Sequence, residues 1–230
     1  MTNPEPAPAL RASLLSTEHW GLLAARGTAQ SEVLSRIGMF LTLVSAGLVS
    51  LALLGQLTAF RAPFPLLAIG VLAFVTVVGV LTQVRVQNVG QEDLMYVLAM
   101  NRIRGAYLSL DGGIAPYLMA SSHDDQEGSA RTYFFLGRRS PFNQLAGSTA
   151  MFILVINAAL VGLLAAGIGA AAAAPAALTV ALGLVTGLVY FAVLFWLVAR
   201  SYFRFWKGYA PLDPTRQGVE PAPSDGDLDA

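Results

Sequence analysis

The chain has 230 residues and no net formal charge, and only 12% of its residues are charged whereas 55% are hydrophobic. A soluble domain carries about 25% charged residues, so this composition excludes an ordinary soluble protein. Cysteine is absent, which excludes disulfides, thiolate metal sites and cysteine nucleophiles.

Long uncharged stretches predict four membrane-spanning helices. Arg36 and Arg61 enclose 24 residues without a formal charge, and Arg85 follows Arg61 after another 23. The longest stretch, between Arg139 and Arg200, has 60 residues. A bilayer core of roughly 30 Å needs about 20 apolar helical residues, so the first two stretches hold one span each and the third holds two. This pattern predicts an all-α polytopic membrane protein with two transmembrane hairpins and cytosolic helical extensions.

The first half of the chain is predicted to form the first hairpin and its extensions. Residues 1–16 begin with a Pro-rich segment and are expected to be disordered. Residues 17–110 are expected to hold a cytosolic stalk, spans at 37–57 and 66–84, and a helical extension of the second span. The turn between the spans contains proline and aromatic residues, as expected at a membrane interface.

Two arginines, Arg102 and Arg104, lie in the extension over residues 85–110. An apolar stripe that includes Ile103 runs along this predicted helix and is expected to pack on residues 17–36 or on a neighbouring subunit. The two guanidinium groups lie roughly 160° to 200° apart at helical spacing, so they cannot grip one anion together. We expect them to face solvent or a partner rather than to form a ligand site.

The cytosolic linker, residues 111–144, is expected to be largely irregular after its Asp-Gly-Gly turn. It contains the one cluster of potential metal ligands in the sequence, which is His123-Asp124-Asp125 with Glu127. These residues are adjacent in a loop rich in serine and glycine, without partners at the i, i+4 spacing of a helical site. A solvated loop is the favoured interpretation, and a metal or catalytic site is the alternative.

The second hairpin is predicted over residues 145–199, with spans at 145–169 and 178–199. Asn157 is the most informative polar residue in this hairpin, because lipid cannot satisfy its amide. We expect it to hydrogen-bond between helices, with a pore-lining ring in an oligomer as the alternative. Small residues predict close helix packing, either within one chain or between subunits; they are Gly162, Gly183 and Gly187.

Residues 200–230 combine a basic, aromatic juxtamembrane segment with an acidic tail that is expected to be disordered. Lys and Arg near membrane spans stay on the cytoplasmic side, and here they cluster in the stalk, in the linker and after the fourth span. Both termini are therefore expected on the cytoplasmic side, and the protein is expected in a bacterial inner membrane. Four arginines are expected to contact anionic lipid headgroups: Arg138, Arg139, Arg200 and Arg204.

Two stretches carry a resemblance to a known family: EHWGLLAARGTAQSEVLSRIGMFLTLVSAGLV (Glu18–Val49) and NRIRGAYLSL (Asn101–Leu110). They resemble a family of uncharacterised four-span membrane proteins from high-GC bacteria, over the first hairpin and the linker. The resemblance implies a four-span membrane protein. It implies no activity and no functional residue.

The predicted spans contain no Asp, Glu, Lys, Arg or His, which argues against a proton-coupled pump and against a voltage sensor. No set of catalytic, cofactor-binding or metal-ligating residues emerges from the sequence. The favoured interpretation is a non-enzymatic assembly or accessory protein that presents its cytosolic helical linker. The alternative is an oligomeric channel or pore with uncharged lining residues such as Thr42 or Asn157. The expected partners are the lipid bilayer, a cytosolic protein and further copies of the chain; neither nucleic acid nor a cofactor is expected.

Overall fold

The computed structural model describes residues 8–134 and 147–215, and it is helical throughout its regular elements. Its α-helices are α1 (Pro8–Leu57), α2 (Phe64–Leu110), α3 (Gln126–Tyr133), α4 (Thr149–Ala171) and α5 (Ala176–Gly208), and a short 3₁₀ helix covers Gly112–Tyr117. Four of these helices, α1, α2, α4 and α5, are long and apolar enough to cross a membrane. The predicted all-α fold with four membrane-spanning helices is therefore confirmed.

The helices extend into regions that the sequence analysis predicted as disordered or irregular. Because α1 begins at Pro8, the prediction of disorder was wrong for residues 8–16. Proline fits the first turn of a helix, where its missing N–H is not needed. In the linker, Asp111 caps the 3₁₀ helix by accepting a hydrogen bond from the Gly113 N–H, and Asp125 caps α3 in the same way. These caps satisfy helix-terminal N–H groups and explain why two short helices form there.

The described residues divide into two compact units. The first, which we call the linker unit, contains residues 8–22, 94–134 and 209–215. The second, which we call the span unit, contains residues 23–93 and 147–208. The span unit holds the apolar stretches of all four long helices, whereas the linker unit holds most of the polar linker.

The core of the span unit forms where α1, α2 and α4 meet. Phe40 of α1, Val75 of α2 and Ile153 of α4 are all almost completely buried and belong to one apolar cluster. In a lipid environment, such packing rather than the exclusion of water holds helices together.

Ion pairs join α1 and α2 beyond this core, still within the span unit. Arg26 Nε donates to Asp93 at 2.6 Å, and Arg85 donates to Glu32 at 2.9 Å. Arg85 also donates to Glu92 of its own helix at 3.0 Å. In the linker unit, the rings of His19 and Tyr107 are stacked with their centroids 6.1 Å apart. Each unit therefore contains contacts of the kind expected between residues 17–36 and 85–110.

The helices α4 and α5 approach each other at backbone distance. A Cβ atom on Gly162 would lie 2.7 Å from the carbonyl oxygen of Gly183, and one on Gly187 would lie 2.8 Å from that of Ala158. Both distances are shorter than van der Waals contact, so any side chain at these positions would force the helices apart. Of the two alternatives for these small residues, the structure shows packing within one chain; homo-oligomer formation stays a prediction.

Candidate functional site

In the linker unit, Asp124 is a fully buried carboxylate at the centre of a hydrogen-bond network. Arg102 Nε donates to its Oδ2 at 2.5 Å, and the Tyr209 hydroxyl donates to the same oxygen at 3.0 Å. The backbone N–H groups of Leu212 and Asp213 donate to the carboxylate at 3.0 and 2.8 Å. This one side chain therefore fixes the segment that follows α5 to the loop that precedes α3.

Asp125 continues the network with a different set of donors. Its Oδ2 accepts from the Thr215 N–H at 2.7 Å, and its Oδ1 accepts from the Thr215 hydroxyl at 3.0 Å and from the Gly128 N–H at 2.7 Å. It thus caps α3 and holds the end of the same segment. We refer to Arg102, Asp124, Asp125 and Tyr209, with the backbone of residues 212–215, as the Asp124 network.

A buried amide supports the network from α2. Asn101 is fully buried; its Nδ2 donates to the His123 carbonyl at 2.8 Å, and its Oδ1 accepts from Arg104 at 2.7 Å and from the Thr132 hydroxyl at 2.9 Å. These bonds tie α2, the His123 loop and α3 together. Arg102 and Arg104 therefore have separate partners, in agreement with their predicted inability to grip one anion.

The electrostatics of Asp124 favour a permanent anion. Burial raises the pKa of its carboxyl group, but the hydrogen bonds from Asp213, Leu212, Arg102 and Tyr209 outweigh burial and lower the pKa to about 2. The same contact raises the pKa of Arg102, chiefly through its hydrogen bond to Asp124. A carboxylate with a pKa this low stays ionised at neutral pH, and its hydrogen bonds join the loop before α3 to the segment after α5.

This ionisation makes the stability of the linker unit sensitive to acid. Because the pKa of Asp124 falls from 3.8 to about 2 on folding, its contribution is present above pH 4 and is lost as the pH falls through about 2. The shift corresponds to about 2 kcal/mol. We expect the free energy of unfolding, measured by denaturant titration at stepwise lower pH, to show this loss in the wild type. An Asp124→Asn variant with the same acid dependence would contradict the assignment.

The structure corrects the interpretation of the His123-Asp124-Asp125 loop. A solvated loop was wrong for Asp124, whose side chain is fully buried. Arg102, which was expected to face solvent or a partner, is 40% exposed and pairs with this carboxylate. Disorder was also wrong for residues 210–215 of the tail that follows Tyr209; the rest of the tail, residues 216–230, lies outside the described residues. Over the described parts of the chain, no group of three or more His, Cys, Asp or Glu side chains could hold a metal ion.

The span unit contains a second polar site, formed by buried amides. Asn157 of α4 is fully buried, and its Nδ2 donates at 2.8 Å to both the Gly79 carbonyl and Gln83 Oε1 of α2. The Tyr190 hydroxyl of α5 donates to the same Gln83 oxygen at 2.9 Å. This is the interhelical hydrogen bond that the sequence favoured for Asn157. Gln83, which the sequence analysis missed, is an amide within a predicted span and could have been singled out by the same criterion as Asn157.

The four arginines expected at lipid headgroups are only partly described. Arg200 and Arg204 are exposed on the last turns of α5, and the Arg200 guanidinium lies 5.0 Å from the centre of the Trp196 ring. Their contact with anionic lipid stays a prediction. Arg138 and Arg139 lie outside the described residues.

Comparisons of the chain with protein-family models, with curated proteins and with solved structures found no match.

Proposed function

We propose that this chain is a multi-pass membrane protein that catalyses no reaction and presents its linker unit to a protein partner. The observation that carries this proposal is a set of large apolar side chains on the surface of the linker unit. Tyr117 and Met119, two residues apart, are 83% and 71% exposed, and Trp20 is 69% exposed. Contiguous exposed apolar patches mark protein interaction sites, and we propose that these three side chains contribute to one such surface.

The Asp124 network supports the same proposal, because a binding surface costs less to use when it is already ordered. Leu212, another exposed apolar residue, lies in the segment that the network holds. The network thus holds an exposed apolar residue in place, and both oxygens of the Asp124 carboxylate already accept hydrogen bonds. An architectural network that orders an exposed apolar residue fits an assembly or accessory protein.

We propose further that the protein resides in a bacterial inner membrane and that its linker unit and both termini face the cytoplasm. A cysteine replacing exposed Glu127 should react with a membrane-impermeant thiol reagent only after permeabilisation, whereas one replacing exposed Arg61, in the turn between α1 and α2, should react in intact cells. The absence of native cysteine leaves no background. Labelling of the Glu127 position alone in intact cells would reverse the orientation.

The proposed partner can be tested by crosslinking in native membranes. A photoreactive amino acid at Trp20 is expected to capture one protein, and the double change Tyr117→Ser and Met119→Ser should abolish that adduct because it removes apolar contact area. The control is Met95→Ser, which alters another exposed residue of the linker unit and should leave the adduct intact. A Trp20 probe that captures only lipid, or an adduct that the double change leaves unaltered, would contradict the proposal. Currents from the purified protein in planar bilayers would favour the channel alternative.

A further inference from the structure

A cleft of about 260 Å³ lies between α2 and α5 in the span unit. Aliphatic side chains such as Val84 and Leu194 form part of its wall. The polar part of the wall bears no charge among the described residues; it consists of Gln83, Gln87, Asn88, Gln91, Tyr190 and Ser201. The cleft therefore combines amide and hydroxyl groups with apolar surface.

The cleft crosses the level at which the uncharged stretches of sequence end. Gln83 precedes Arg85 by two residues, which is about 3 Å along a helix, and Ser201 directly follows Arg200. These arginines are the first charged residues after the second and fourth spans. This is the depth at which lipid hydrocarbon gives way to the oxygen-bearing groups of the lipid.

Gln83, which lines the cleft, carries a hydrogen-bond donor without a partner among the described residues. Its side chain is 2% exposed, and no described residue accepts a hydrogen bond from its Nε2. A flip of the side-chain amide, which would exchange Nε2 and Oε1, would break two hydrogen bonds, because Oε1 accepts from Asn157 Nδ2 and from the Tyr190 hydroxyl. Hydrocarbon offers no acceptor for this N–H, so an oxygen atom that entered the cleft and reached Nε2 would satisfy a donor that has no acceptor among the described residues.

We propose that the cleft binds the polar end of an uncharged lipid, whose carbonyl or hydroxyl oxygen accepts a hydrogen bond from Gln83 Nε2. The carboxamides of Gln87 and Asn88 offer both donors and acceptors to the rest of that polar end. A phosphate would be paired with Arg or Lys, and neither residue type lines the described cleft. The aliphatic wall provides a surface for an acyl or prenyl chain. This inference goes beyond the proposed function, because it requires no protein partner.

The chemistry is shared by the ester carbonyl of an acylglycerol and the ring carbonyl of a prenylquinone, and the experiment separates these two sources. The full-length protein is reconstituted in phosphatidylcholine nanodiscs with a photoactivatable diacylglycerol or a photoactivatable prenylquinone at the same mole fraction. We expect one of the two probes to label α2 and α5 around the cleft, as mapped by mass spectrometry. Excess unlabelled compound of the same kind should suppress the labelling.

The variants test whether the unpartnered amide causes this binding. Gln83→Met keeps the side-chain volume and should lower labelling roughly three- to tenfold, as expected for one lost hydrogen bond. The double change Asn88→Leu and Ser201→Ala leaves the bonds of Gln83 to Asn157 and Tyr190 in place and should also lower labelling, which covers the case in which Gln83→Met does not fold. Gln56→Leu is the control, because Gln56 is exposed elsewhere on α1.

Two results would overturn the proposal. Equal labelling of the wild type and of both cleft variants would show that the polar wall does not select the lipid. The second result is that added phosphatidylcholine suppresses labelling as strongly as the uncharged competitor does. The cleft would then hold bulk lipid, and water would satisfy the Gln83 N–H.

Discussion

Asp124→Asn should release residues 209–213 from the rest of the linker unit, with Thr215 still bound to Asp125, and lower the free energy of unfolding of that unit by about 3 kcal/mol. The neutral amide would turn a donor toward Arg102 or toward the N–H groups of Leu212 and Asp213, which now share the buried carboxylate. Buried donors left without an acceptor account for most of this expected loss. Hydrogen–deuterium exchange of residues 209–213 and thermal unfolding measure the two effects.

The matched control for this change is Glu127→Gln, three residues along the chain. Glu127 pairs with Arg131 at 2.6 Å, but both side chains are substantially exposed, and exposed ion pairs contribute about 1 kcal/mol or less. Thermal stability and exchange protection should therefore remain close to the wild type. Unchanged protection of residues 209–213 in Asp124→Asn would show that the segment is held by something other than the buried carboxylate.

Gly79→Ala is expected to be strongly destabilising for the span unit. The new Cβ would lie 2.1 Å from Asn157 Oδ1 and 2.9 Å from Phe40 Cζ, so α1, α2 and α4 would have to move apart. Overpacking of this kind costs typically about 1–3 kcal/mol, and here it also strains the bonds from Asn157 to the Gly79 carbonyl and to Gln83. Unfolding in mixed detergent micelles measures the loss.

Gly70→Ala provides the comparison on the same helix, because a Cβ at Gly70 would meet no atom within 4 Å. It should be neutral or slightly stabilising, since alanine favours a helix more than glycine does. Combining Gly79→Ala with Asn157→Ala removes the clashing amide, so the double variant should lose less stability than the two single changes added together. Equal stability of the Gly70 and Gly79 variants would exclude the close contact.

The sequence predicted the fold because one physical constraint dominates it. A helix that crosses hydrocarbon needs a long stretch without charges, and the stretches that Arg36, Arg61, Arg85, Arg139 and Arg200 delimit could be read directly. The boundaries of α1 and of the linker helices were harder to predict from the sequence. They depend on caps and on packing partners, which are local or tertiary features that hydropathy does not report.

The Asp124 network could not be predicted, because its members are far apart in the sequence. Helical periodicity placed Arg102 away from the apolar stripe, and Arg102 is exposed in the structure. Periodicity could not indicate that Tyr209 and the segment after it would pack beside Arg102. The sequence around Asp124 resembles a polar loop. Asp124 is buried there because it binds Tyr209 and Leu212, which are more than 80 positions away in the sequence. Burial of a charge is a tertiary property, and its signal is absent from local composition.

The bond between Gln83 and Asn157 also has a consequence for the synthesis of the chain. These residues are 74 positions apart, and ribosomes add about 5–20 residues per second, so Gln83 is made roughly 4 to 15 s before its partner. During that interval the amide has neither Asn157 nor Tyr190, and a position deep in hydrocarbon would penalise the inserted helix. Its location two residues from Arg85 keeps it within reach of water and lipid oxygens until α4 arrives. The first hairpin can therefore enter the bilayer before the second exists, and the second hairpin can dock against a helix that is already in place.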